Sequence, residues 1–132
     1  MIKLEKISLT ELTTDKILLL NQAIEKYITI LSEITDRDNL SQQHIHLNLA
    51  NLQHFELTKK LMRRDPPMHS TIKFEISSAF IVFDAIQNFE NYVSNPLDSS
   101  RLGQMKMELF SKLPNTSDKK ELSIHSKLNF NA

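Results

Sequence analysis

One glycine, Gly103, and four prolines are the only strong backbone punctuation in 132 residues. Glycine supplies the positive φ angles of tight hairpin turns, so a chain this poor in it is badly suited to a fold of many short hairpins. Pro66–Pro67 and Pro96 bound stretches of more than twenty residues that contain no breaker. Uninterrupted runs of that length suit helices, because strands are usually only five or six residues long. The same glycine count excludes P-loop and dinucleotide fingerprints, whose phosphate contacts need several glycines in one loop.

Helical rhythm is clearest near the N-terminus. Ile17, Leu20, Ile24, Tyr27, Leu31 and Ile34 recur every three or four residues, broadened by Ala23, Ile28 and Ile30. Asn21, Gln22, Glu25, Lys26, Thr29, Ser32 and Glu33 fill the other side. This is the pattern of a helix with one buried stripe. Thr13 or Thr14 is placed to cap it, Asp15 suits its first turn, and Leu12 is placed to staple onto Ile17. Ser8 with Glu11 forms a rival capping box, and residues 35–39 read as the exit loop.

A second helix is expected from about Leu40 to Arg64, stopped by Asp65-Pro66-Pro67, because proline lacks the N–H and restricts its predecessor. It carries two apolar faces. Ile45, Leu49, Leu52, Phe55 and Met62 form one; Leu40, Leu47, Ala50, Leu57 and Leu61 form the other, with His54 in its middle. A third helix is expected from about Thr71 to Ser94, ended by Asn95-Pro96. Its main face holds Ile72, Ile76, Ala79, Phe83, Ile86 and Val93, flanked by Phe80, Val82 and Phe89. Phe74, Ile81, Ala85 and Tyr92 lie on its far side. A fourth, from about Ser99 to Leu113, turns Leu102, Met105, Leu109 and Leu113 inward, with Asp98 as cap and Pro114 as stop. The polar tail from about residue 115 either adds a helical turn started by Asp118 and Glu121 or is loose.

These elements make an all-α fold, an antiparallel bundle of about four helices in a single domain spanning residues 1–132. The alternative is α+β, with strands near 43–49 and 71–76, because Ile45-His46-Leu47-Asn48-Leu49 and Ile72-Lys73-Phe74-Glu75-Ile76 both alternate. A short alternation at Ile2 and Leu4 could also pair as a strand with Leu122 and Ile124.

Charge and composition exclude several classes of function. Sixteen basic residues balance sixteen acidic ones, so there is no domain-wide basic field for nucleic acid. There is no cysteine, which removes disulfides and thiolate metal sites and fits a reducing compartment. No apolar run approaches the ~20 residues that span a bilayer, and residues 1–6 lack the apolar core of a signal peptide. A cytoplasmic protein without a membrane partner is expected.

Few residues suggest chemistry. His44 and His46 would share the face of a strand, but on a helix two steps of roughly 100° each separate them too far to chelate together. Glu-x-x-His pairs of the kind bundle di-metal proteins use do not occur, so no metal and no cofactor are expected. His54, on an apolar stripe, reads as a pH-sensitive imidazole or, more plainly, as a half-buried histidine satisfied by a polar neighbour. Glu90, near the end of the third helix, reads as a raised-pKa acid or as a solvated helix end. These two are the only catalytic candidates. Lys59, Lys60, Arg63 and Arg64 are candidate phosphate contacts, but cations also suit the negative end of a helix dipole.

The expected role is that of a non-enzymatic interaction or regulatory protein acting through protein–protein contacts. The alternatives are a nucleic-acid-associated regulator and a small-molecule binder or enzyme using a bundle pocket. The surplus faces of the second and third helices, Leu40, Leu47, Leu57, Leu61, Phe74, Ile81 and Tyr92, are the expected interaction surface. A homodimer is the expected assembly, since aligned surface apolar residues imply packing.

Overall fold

The computed structural model describes residues 6–38 and 41–114, with the backbone alone for 35–38 and 41–43. The protein is mostly helical, with a small two-stranded sheet. Strand β1 (Ile7–Leu12) precedes helices α1 (Thr14–Asp38) and α2 (Ser41–Leu61). Strand β2 (Ser70–Phe74), α3 (Ile76–Phe89) and α4 (Pro96–Lys112) follow.

The sheet corrects a purely helical reading and supports half of the α+β alternative. Residues 43–49 are helical, whereas 70–74 form a strand paired antiparallel with β1, Ile7 opposite Phe74 and Leu9 opposite Ile72. Ile7, Leu9, Ile72 and Phe74 are buried, while Thr71 and Lys73 are exposed. That two-residue period marks a sheet with one face on a core. Helix α3 therefore starts only at Ile76, after Glu75 in extended conformation, and stops at Phe89 in turns closed by Asn91 and Tyr92 N–H groups. The Ser8–Glu11 box lies inside β1, so the rival start of the first helix falls. Thr13 caps α1 instead, its hydroxyl oxygen accepting from Lys16 N–H at 3.3 Å. Helix α1 runs on to Asp38 through the expected exit loop, and α2 stops three residues short of Arg64.

Helix α4 begins at Pro96 rather than Ser99, with Asn95 as its cap. The Asn95 side chain accepts from Leu97 N–H at 2.8 Å, and Pro96 occupies the first turn, where its missing N–H costs nothing. Leu102, Met105, Leu109 and Leu113 are all buried, as their spacing requires.

One core cluster gathers side chains from all six elements. Helix α1 packs against α2, α3 and α4, and α3 touches α1, α2, α4 and β2. Helix α3 is therefore a central element with both faces occupied, which explains its two apolar stripes. Asn21, expected on the outer side of α1, is instead 9% exposed and donates from Nδ2 to Thr58 Oγ1 at 3.2 Å. Gln53 Nε2 likewise donates to the buried Ser78 hydroxyl at 3.0 Å. These two bonds tie α2 to α1 and to α3.

The positive φ that glycine usually supplies falls on Glu11 (φ 53°), where the register of β1 shifts between Leu9 and Leu12. Gly103 sits inside α4, and a Cβ built there meets nothing within 4 Å. Gly103→Ala removes backbone freedom from the unfolded chain without a clash, and should stabilise the fold by about 0.5–1 kcal/mol. Thermal unfolding of the two proteins side by side measures this.

Candidate functional site

The expected interaction surface does not survive as a surface. Leu57, Phe74 and Ile81 are core residues, at 1%, 1% and 3% exposure. Leu47 and Leu61 are half-buried against that core, and Leu40 lies outside the described residues. Tyr92 alone is exposed, with Lys26 Nζ 4.6 Å above its ring. The faces of α2 are exchanged relative to expectation: the stripe through Leu47, Ala50, Leu57 and Leu61 packs inward.

Ile45, Leu52 and Phe55, expected to pack inside, are 60%, 51% and 59% exposed. Spacings of seven and three hold them on one side of α2. Asn48 and Lys59 share that side, and Lys59 Nζ stands 5.2 Å over the Phe55 ring. Met62, just beyond the helix, is also exposed. Beside this face, between α2 and β2, lies an open cleft of about 500 Å³. Its walls include Leu52, Gln53, Glu56 and Lys60 from α2, and residues 72–75 from β2 and its C-terminal end. Lys6 also borders it.

The two edges of the sheet differ. Along β1, Thr10 N–H donates to Glu108 Oε2 at 3.0 Å, and Lys112 Nζ donates to the Ser8 carbonyl at 2.9 Å. Two side chains of α4 thus satisfy the backbone groups that a neighbouring strand would use. Burial pushes the Glu108 carboxyl up, but hydrogen bonds from Lys112 and Thr10 outweigh it and hold the group below the usual carboxylate range. No comparable bond reaches the outer edge of β2 among the described residues.

The catalytic candidates are engaged separately. His54 is half-buried, with Nε2 3.9 Å from a carboxylate oxygen of Glu25 on α1. Glu90 lies just past α3 and receives a 2.6 Å hydrogen bond from Lys106 Nζ. Each partners a different helix, and nothing joins the two into an acid–base pair. In the basic cluster, Lys59 pairs with Glu56 at 3.9 Å. Arg63 and Arg64 stand beyond the helix end in an exposed loop, away from the dipole argument. Glu56, Lys59, Lys60 and Arg63 line one shallow depression, so a carboxylate sits among its cations. Among the described residues no three His, Asp or Glu side chains converge as a metal site requires. No described helix is long and apolar enough to cross a membrane.

No protein family, curated protein or solved structure matches the chain. Its role must therefore be argued from its own surfaces.

Sequence reasoning passed over Asp84. This α3 carboxylate has no hydrogen-bond partner among the described residues, and burial pushes its pKa up to about 6. Burial, and then the charge of Asp84, push the Tyr27 hydroxyl up to about 12. A perturbed carboxylate invites an acid–base reading, but Asp84 does not line the cleft between α2 and β2. The signal available was an aspartate flanked by Phe83 and Ala85 in the most apolar helix of the chain.

Proposed function

We propose that the protein is a non-enzymatic interaction protein acting through protein–protein contacts, and that the outer face of α2 joins two copies as a homodimer. The observation that carries this is the exposure of Ile45, Leu52 and Phe55 on one helix face, in a domain whose other long apolar stripes are packed. Scattered exposed apolar residues need no explanation, whereas aligned ones suggest a packing surface.

The magnitudes set the strength of the contact. Full burial of such a side chain contributes ~1.5–3 kcal/mol, so the exposed half leaves roughly 0.8–1.5 kcal/mol to gain at each. A two-fold interface uses every residue twice. The six side chains then contribute on the order of 5–9 kcal/mol, inside the ~4–15 kcal/mol that association costs. A weak, concentration-dependent dimer follows, assisted at its rim by Asn48 and Lys59.

Charge reversal of the apolar face tests this. Leu52→Glu with Phe55→Glu should convert dimer to monomer in light scattering after size exclusion, with far-UV circular dichroism unchanged. A double variant with the mass of the parent protein would refute the assignment of this face.

A further inference from the structure

We infer that two copies of α2 pack antiparallel in one register, Asn48 of each copy set against Lys59 of the other, with the two-fold axis passing between Leu52 and Phe55. The arrangement rests on dimerisation through this face and adds its direction and alignment.

The exposed side of α2 carries a seven-residue repeat. Ile45, Leu52 and Lys59 recur at one position of it and Asn48, Phe55 and Met62 at another, so the spacing alternates between three and four. All six residues are exposed. The helical turn continues through Met62, whose N–H donates to the Thr58 carbonyl at 3.1 Å. The seam therefore runs for about 26 Å. Ala50 and Leu57 are buried in the core, so core and seam use different sides of the helix. A seam of this period is the one along which two helices interlock side chains.

Its two polar residues decide how the seams meet. In a parallel, in-register pair each residue meets its own copy, and Lys59 faces Lys59, a like-charge contact that opposes association. An antiparallel pair centred between Leu52 and Phe55 sets Leu52 against Phe55, Asn48 against Lys59 and Ile45 against Met62. Every layer then matches apolar with apolar or polar with polar. The Asn48 side-chain carbonyl is a suitable acceptor for the Lys59 ammonium, which already stands over the Phe55 ring. The pair that Lys59 makes with Glu56 within the helix is exposed and weak, so it does not hold the ammonium back. Sliding the antiparallel pair by one repeat sets Asn48 against Leu52, or Lys59 against Phe55. A polar group covered by an apolar one without a partner is costly, and single polar positions fix the register of such seams for this reason.

The chain has no cysteine, so introduced thiols report contacts without background. Asn48→Cys and Lys59→Cys, both at exposed positions, are prepared as separate proteins, one of them labelled with heavy nitrogen. They are mixed in glutathione redox buffer at a concentration where sedimentation shows dimers. Disulfide-linked mixed pairs should exceed linked like pairs by at least about 10-fold. Like positions stand ~16 Å apart along the antiparallel pair, beyond the ~7 Å that a disulfide spans between Cα atoms. Asn48→Asp alone, which sets a carboxylate against Lys59 of the second copy, should lower the dimer Kd by roughly 5-fold. Predominance of like pairs would mean parallel helices and overturn the register while leaving the dimer. A statistical distribution of pairs, no linkage in a protein of dimer mass, or a raised Kd for Asn48→Asp would overturn it as well. A protein that stays monomeric loses the dimer and this register together. Mass reads the dimer and the linkage pattern its direction, so the two failures are told apart.

Discussion

Ile81→Glu should unfold the protein rather than alter its assembly. Ile81 is 3% exposed in a helix contacted by α1, α2, α4 and β2. The substitution forfeits ~1.5–3 kcal/mol of apolar burial. It also forces a carboxylate into the core, where an unpaired charge is far more costly than a neutral polar group. The sum is comparable with the whole stability of a domain, about 5–15 kcal/mol. Far-UV circular dichroism and thermal melting should show loss of helicity or of a cooperative transition near room temperature. A folded Ile81→Glu protein changed only in mass would place this side of α3 at an interface.

Asp84→Asn should stabilise the protein at neutral pH, and the gain should vanish in acid. The folded-state pKa, about 6, lies above the ordinary 3.8, so the native state holds its proton more tightly than the unfolded chain. The stability tied to that proton is fully present below about 3.8 and is lost as pH rises through about 6. At pH 7 the charged, desolvated carboxylate therefore opposes folding. At roughly 1.4 kcal/mol per pH unit, and discounting for partial exposure, the penalty is on the order of 1–3 kcal/mol. An uncharged asparagine escapes it, which should raise Tm by ~3–10 °C at pH 7 and leave it nearly unchanged at pH 4. A variant less stable than the parent at pH 7 would show that Asp84 has a stabilising partner.

The readable parts of this sequence were those where one helix face carries all the information. Helices α1 and α4 bury stripes whose spacing alone identifies them, apart from Asn21, whose polarity concealed a contact with Thr58. Helix α2 resisted because it is apolar on both sides, so periodicity gives two stripes without saying which meets the core. Its polar residues held the missing clue: Gln53 and Thr58, which bond Ser78 and Asn21, flank Ala50 and Leu57 on the inward side. Strand β2 was obscured for another reason. Residues 70–74 continue into a helix with no glycine or proline between them, and their partner, Ile7–Leu12, lies far away in sequence. Alternation over five residues specifies a strand only once a second strand is there to pair with it. The surface follows the same logic. Ile45, Leu52 and Phe55 were legible as a stripe, but their exposure depends on how α2 is rotated against α1 and α3.

Sedimentation equilibrium of the unmodified protein over a wide concentration range tests the central claim most directly. The account predicts a weight-average mass that climbs from one chain, 15.3 kDa, toward twice that value as concentration rises through the micromolar range. A mass that stays at a single chain up to high micromolar concentration would contradict it.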